Sequence, residues 1–254
     1  MKISIVTISF NSSKTIERTI KSVLAQQNVD LEYIIKDGAS NDDTVEIIKK
    51  YAEQDSRIEY VSEKDKGIYD AMNIGVQMAS GDIVGILNSD DYYASTESLS
   101  SIIGAFKNNP DIPLVYGNIL YVKENKPYRV WKSGKAKSFY SGWMPPHPAL
   151  FVKKEVYEKY GLFRLDCGIN ADYEIMLRFF QKNKLSSIWV NKTITYMEAG
   201  GTSNNGIGSR IAGIKNDSIA WEKNELIPKW YTIFLKKLRK LPQFITIGQQ
   251  VETI

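Results

Sequence analysis

Cysteine and histidine are almost absent from this sequence of 254 residues, with Cys167 and His147 the sole examples. A single thiol excludes an intrachain disulfide and gives no sign of an oxidising compartment. One thiol and one imidazole also fall short of a structural zinc site. No apolar run reaches the roughly 18 residues that a membrane span requires. The chain opens on a strand pattern rather than a leader, so the expected location is the cytoplasm. There are no internal repeats or low-complexity segments. A Gly-x-Gly-x-x-Gly turn after the first strand is missing, which argues against a dinucleotide-dependent dehydrogenase. Ile3 to Asn11 also lacks the Gly-rich loop with Arg and Lys that a sugar-nucleotide nucleotidyltransferase needs.

The composition, 43% hydrophobic and 24% charged, is that of a globular domain long enough for a sizeable core. The net charge of +4 is misleading, because Lys229, Lys236, Lys237, Arg239 and Lys240 fall in one short stretch without an acid. The rest of the chain is close to neutral, so no nucleic-acid partner is expected. That stretch, 229–241, also carries Trp230, Tyr231, Ile233, Phe234, Leu235, Leu238 and Leu241. An amphipathic basic helix of this kind suits an anionic membrane surface. A helix docked on its own domain or on a dimer partner has the same pattern, and a homo-oligomer is compatible with it.

Periodicity supplies the organisation. Ile3 to Ile8 reads as a buried strand, and Ser12 or Ser13 is placed to cap a helix carrying Ile16, Ile20, Val23 and Leu24 on one face. A second strand spans Leu31 to Ile35, and Asn41 or Asp42 caps the next helix, with Val45, Ile48 and Ala52 on one face. A third strand (Ile58 to Val61), a helix over 68–79 and a fourth strand (Ile83 to Leu87) complete a strand–helix alternation. This predicts an α/β fold, a Rossmann-like and mostly parallel sheet flanked by helices. Ligands bind outside the carboxyl ends of such strands, and Asn11, Asp37 and Asp90 lie just past three of them. Beyond about residue 110 the rhythm changes to a small antiparallel portion. Leu114 to Val122 and Lys126 to Trp131 pair around a turn, a long loop spans 133–148, and a helix covers 172–184.

The pair Asp90-Asp91, directly after the fourth strand, is a hard-oxygen site suited to Mn²⁺ or Mg²⁺ bridging a diphosphate. Around it stand, in order, Ile3 to Asn11, Asp37 to Thr44, Lys66 to Gly75, Ala79 to Asp82 and Leu87 to Asp91. Together these resemble the successive motifs of the inverting family 2 glycosyltransferases, enzymes of the GT-A fold. Each motif alone is weak, but five in order are a strong signal. Ser62 to Asn73 in particular resembles bacterial enzymes that build O-antigen, capsule and other surface polysaccharides.

The resemblance implies a sugar moved from UDP to a hydroxyl of a glycan, expected to be lipid-linked, by a peripheral protein on the inner face of the cell membrane. It implies nucleotide-sugar contacts by Ile8, Ser9, Asn11, Asp37, Lys66, Asn73, Asn88, Ser89 and Asp90, with Asp37 against the uracil ring. The metal falls to Asp90 or Asp91. Asp172 takes the place of the catalytic base, with Glu174 in reserve, and His147 and Glu174 are assigned to acceptor or diphosphate. Residues 1–205 form the transferase domain, with 1–110 binding nucleotide and 111–205 binding acceptor, and 206–254 form a C-terminal helical extension. Ala199 to Gly206 reads as a lid over the donor. Two positions depart from the family pattern: Asn88 replaces the first acid of Asp-x-Asp, and Ala171 stands where Glu is common. They keep open a non-catalytic nucleotide-sugar-binding protein.

Overall fold

The computed structural model describes residues 1–124, 126–198 and 216–244; the expected lid lies outside them. Strand β1 (Lys2–Ser9) is buried from its second residue onward. It pairs in parallel with β2 (Asp30–Asp37) on one side and β4 (Ile83–Asn88) on the other, and β3 (Ile58–Ser62) continues in parallel beyond β2. A strand with neighbours on both edges and helices on both faces has no solvent side, which is why Ile3 to Ile8 is almost continuously apolar. The crossover helices are α1 (Ile16–Leu24), α2 (Thr44–Gln54) and α3 (Ile68–Met78). Ile3 and Ile5 meet Ile16, Ile20 and Val23 of α1 and Leu99, Ile102 and Phe106 of α4 (Ser98–Asn108). Val6 and Ile8 face the other core, with Ala71, Met72 and Val76 of α3. There α3 rests directly on β1, since a Cβ at Gly75 would stand 2.2 Å from Val6 Cγ1.

The expected caps are displaced. Helix α1 begins after Thr15 with no side-chain cap, and the Ser12 hydroxyl instead meets Ser89 at 2.8 Å. Asp43 precedes α2, while Asp42 accepts from the Thr44 amide at 3.1 Å.

Past β4 the sheet changes direction. The short β5 (Tyr92–Tyr93), β6 (Leu114–Lys123), β7 (Lys126–Trp131), β8 (Leu150–Lys153) and β9 (Ser187–Glu198) give the order β3-β2-β1-β4-β8-β6-β9-β5, with β7 paired to β6 as the sequence predicts. Strand β8 runs antiparallel between β4 and β6, whereas β6 and β9 are parallel. Helix α5 (Lys154–Tyr160) follows β8, and α6 (Ala171–Met176) runs on as a π-helical turn (Leu177–Lys182).

Two further helices cover this half. Helix α7, described over residues 216–223, puts Ala220 and Trp221 into the core, with Trp221 Nε1 donating to the Tyr173 hydroxyl at 3.0 Å. Helix α8 (Thr232–Leu238) docks on the 140–142 turn: Thr232 Oγ1 donates to Tyr140 O at 3.1 Å and Arg239 Nε to Ser141 O at 2.7 Å. Its backbone comes so close that a Cβ at Gly142 (φ +73°) would lie 2.3 Å from Lys236 N. The tail is thus packed on its own domain along one side. The other side leaves Trp230 91%, Phe234 61% and Leu241 60% exposed. Among the described residues no helix is long and apolar enough to cross a membrane.

Glu174 is corrected by the fold. It is wholly buried, with Arg178 Nη2 2.6 Å from Oε2, Arg178 Nε 3.2 Å from Oε1 and Asn224 Nδ2 3.1 Å from Oε1. Arg178 also donates to Tyr160 O and Leu162 O, so the pair ties α6 to the segment ahead of it and to the end of α7. An acid held this way serves the core and faces neither acceptor nor diphosphate. Removing one partner of a buried pair strands the other charge, at a cost of about 3–5 kcal/mol. Glu174→Gln should therefore lower the unfolding free energy by about 3 kcal/mol or more in urea titration.

Candidate active site

The parallel register brings Ser9, Asp37 and Ser62 side by side at the carboxyl edge of three strands. Asp37 is inaccessible and accepts Ser9 Oγ at 3.0 Å, Ser40 Oγ at 2.5 Å, Ser40 N at 2.9 Å and Ser62 Oγ at 2.7 Å. Burial alone would raise its pKa, but donors from Ser40, Ser62 and Ser9 outweigh it and hold the carboxyl below its ordinary value. The carboxylate's four acceptor positions are all in use. Asn11, at φ +50°, pins the adjoining turn, its amide oxygen accepting from Asn41 N at 3.0 Å and its own N–H donating to Ser40 Oγ at 2.8 Å. Beneath Asp37, the buried Lys36 donates to Asp37 O at 2.6 Å and pairs with Asp65 at 3.3 Å. A lysine inside an otherwise apolar strand run was the sequence's signal for this support.

Three residues expected at the nucleotide play other parts. The Ile8 side chain belongs to the core. The Ser9 hydroxyl is spent on Asp37. Asn73 spans both backbone groups of Phe163, donating to its carbonyl at 2.9 Å and accepting from its N–H at 2.8 Å, and so fastens α3 to the chain leading into α6. Lys66 stands exposed on the loop before α3.

The acid pair follows β4. Asp91 is wholly buried and accepts Asn88 Nδ2 at 2.9 Å, while Asp91 Oδ1 and Asn88 Oδ1 are buried with no hydrogen-bond partner. Burial, then the neighbouring charge of Asp90, pushes the Asp91 carboxyl well above its ordinary value. Burial also raises Asp90, with Arg18 opposing and Glu198 reinforcing the shift. Thr19 Oγ1 fixes the loop through Ser89 O at 2.9 Å and Asp91 O at 2.7 Å. Arg18 lies 4.3 Å over the Tyr92 ring and donates to Asp90 O and Glu198 Oε2. Nothing in the sequence pattern joins residues 18, 92 and 198; β9 brings them together.

Two orphaned oxygens beside two acids of raised pKa fit a divalent cation, which would satisfy the first and favour ionisation of the second. Among the described residues no cluster of three or more His, Cys, Asp or Glu is arranged to hold a metal. The fit is therefore to an ion that takes one or two protein carboxylates and completes its shell with phosphate oxygens and water, as Mg²⁺ does.

Asp172 sits at the start of α6 and is partly exposed. The Tyr69 hydroxyl of α3 lies 3.2 Å from Asp172 Oδ1 and 2.8 Å from Ile169 O, fixing one carboxylate oxygen. Burial pushes the His147 imidazole below its ordinary value, so it is neutral at pH 7, and the charge of Asp172 opposes the shift. The ring stands edge-on to Phe163 at 5.5 Å. Tyr121 lies where both halves are felt: burial raises its pKa, Arg129 at 3.7 Å from the ring opposes, and Asp91 and Asp172 add to the rise. Asp91 after β4 and the positioned carboxylate of Asp172 thus both act on Tyr121. Tyr69 and Tyr121, like Arg18, carried no sequence signal.

Comparison with known proteins agrees with this geometry. Residues 4–166 match the model of the family described as Glycosyl transferase family 2. An uncharacterized glycosyltransferase of Mycobacterium tuberculosis is 32% identical over 184 residues, 69% of this chain and 68% of that protein. The mannosyltransferase PcManGT of Pyrobaculum calidifontis, in complex with GDP-Man and Mn²⁺, superposes with a TM-score of 0.67 at 16% identity, covering 100% of this chain and 76% of that one. S. aureus TarS 1–349 in complex with UDP-GlcNAc gives a TM-score of 0.64 at 15% identity, with the same 100% and 76% coverage. The two structures share the GT-A fold with this protein, and the family match over most of its length shows that the chain belongs to glycosyl transferase family 2.

Proposed function

We propose that the protein transfers a sugar from a UDP-sugar to a hydroxyl of a glycan acceptor, with inversion at the anomeric carbon, in the synthesis of a bacterial surface polysaccharide. One observation carries this reading: the orphaned oxygens of Asn88 and Asp91 lie at and just past the carboxyl end of β4, next to the strand ends that carry Ser9 and Asp37, while Tyr69 fixes the Asp172 carboxylate at the start of α6. The nucleotide lies over β1 and β2. Its ring N–H takes an oxygen of Asp37 once the Ser40 or Ser62 hydroxyl, each free to rotate, turns away. Asp90, less buried than Asp91, offers the crevice-facing oxygens, and Asp91 with Asn88 completes the seat. Bound there, Mn²⁺ or Mg²⁺ neutralises the diphosphate and stabilises UDP as it leaves. Tyr69 holds one oxygen of Asp172, and the other takes the proton from the acceptor hydroxyl as that oxygen attacks from the face opposite UDP. Neutral His147 lines the same place as a hydrogen-bonding group without charge. The bound donors of TarS and PcManGT support a nucleotide-sugar site on this fold.

The acceptor is lipid-linked and the protein is peripheral on an anionic membrane. Support comes from the free side of α8 and the turn before it, where Trp230, Phe234, Leu238 and Leu241 are exposed beside Lys229 and Lys237. Aromatic rings at headgroup level and cations worth about 1 kcal/mol each near such a surface make a reversible anchor.

Calorimetry with UDP should show binding that depends on Mn²⁺ or Mg²⁺ and falls at least tenfold in Asp90→Ala; metal-independent binding unchanged in that variant removes Asp90 from the site. Asp172→Asn should keep donor affinity while kcat drops on the order of 10²-fold or more, the cost of losing a general base. No UDP release from the wild type with any donor and acceptor would leave a binding protein instead. Trp230→Ser with Phe234→Ser should reduce sedimentation with anionic liposomes and leave the fold intact, since both side chains are exposed. Wild-type sedimentation should weaken as salt rises.

A further inference from the structure

A second cavity of about 260 Å³ opens between the end of β7, the 142–144 turn and α8. Its walls hold four cations, Lys132, Lys236, Arg239 and Lys240, together with Trp131, Trp143 and Met144, and among the described residues no acid. The volume falls just under the usual range for whole small-molecule ligands, so it suits a small group rather than a saccharide chain.

The cations differ in what they already do. Lys236 is neutralised by Asp217, 2.6 Å away, and stands 3.4 Å over the Tyr173 ring. Arg239 is anchored by Nε to Ser141 O, a neutral carbonyl that leaves its charge uncompensated and its guanidinium in place. Lys132 and Lys240 have no ion pair among the described residues. The cost of this crowding shows at Lys240. Its side chain keeps exposed surface, yet desolvation of the ammonium by the cavity walls, followed by the charges of Lys236 and Arg129, pushes it below the ordinary lysine value. The charges of Asp217 and Asp172 oppose that shift.

Cations at the end of a helix complement its dipole, and this accounts for Lys236, Lys237, Arg239 and Lys240 taken alone. It does not account for Lys132. That residue, exposed just past the end of β7, reaches the cavity from the other wall. Convergent, uncompensated cations from two segments mark a site for a polyanion, and an arginine fork with flanking ammoniums matches phosphate oxygens.

We propose that this cavity binds a phosphate or diphosphate ester carried by the acceptor. The proposal deepens the transferase reading above and rests on it. The exposed Phe234 and Leu238 lie on α8, which lines the cavity with Lys236, and the exposed Trp230 and Leu241 flank that helix in sequence, so the cavity and an exposed apolar face share one stretch of chain.

The test is calorimetry on the full chain, with the donor site filled by UDP and Mn²⁺ and geranyl diphosphate as the probe. Wild type should bind it, and the double variant Lys132→Gln with Lys240→Gln should bind at least tenfold more weakly, with UDP affinity unchanged. Lys237→Gln, on the same helix but outside the cavity, should match wild type. Unchanged probe affinity in the double variant, or an equal loss in Lys237→Gln, overturns the site. Inorganic pyrophosphate separates the sources: tighter binding of the geranyl compound supports a lipid-borne ester, and equal binding supports the anion site with a free phosphate as its ligand. A wild type that fails to bind UDP would sink the donor reading instead, while titration of the probe without UDP would still report on the cavity.

Discussion

Parallel pairing of β1 with both β2 and β4 is the constraint on which the rest depends. It ends β1, β2, β3 and β4 at one edge, with Ser9 level with Asp37, Asp37 with Ser62, and Ile8 with Asn88. At that edge the sheet offers no further partner, so each chain leaves through a polar turn. The turns supply Ser40, Asn41, Ser89 and the two acids. The proposed nucleotide site is therefore the edge of the sheet itself, and Asp37 organises that edge by gathering four donors from three different segments.

Two buried acids show how partners decide a role. Glu174 and Asp91 are both inaccessible. Glu174 has a bidentate arginine and an amide, leaves no oxygen unmet and holds the second half of the domain together. Asp91 has the Asn88 amide, one orphaned oxygen and an acidic neighbour, and burial with that neighbour's charge outweighs the groups that favour its ionised form. The same chemistry gives a structural tie in one case and a receptive site in the other.

The second half of the domain depends on a reversal of the sheet. Strand β8 runs antiparallel between β4 and β6 and carries the chain into α5 and on toward α6, which begins with Asp172 in its first turn. Asn73 and Tyr69 of α3 then clamp the approach to α6 through Phe163 and Asp172. Helix α8 closes the outer side and gathers its cations over Tyr173 and the 140–142 turn.

Asp172 entered only through the family resemblance, whereas the alternating strand and helix pattern up to residue 88, the β6–β7 hairpin and the positions of Asp37, Asp90 and Asp91 at strand ends were legible in the sequence by itself. Those features rest on local periodicity and on residues just past strand ends, and both survive folding unchanged. Strands β5, β8 and β9 were not legible, because β5 and β8 have two and four residues and β9 pairs with partners distant in sequence. Only the tertiary structure decided which way each polar group points. It turned Asn73 onto the Phe163 backbone, buried Glu174 against Arg178, brought Arg18 and Glu198 to the acid pair, and laid one side of the basic tail on the domain. The physical reason is that a buried polar atom must find a partner wherever packing places it, and that partner is chosen by the whole fold rather than by neighbours along the chain.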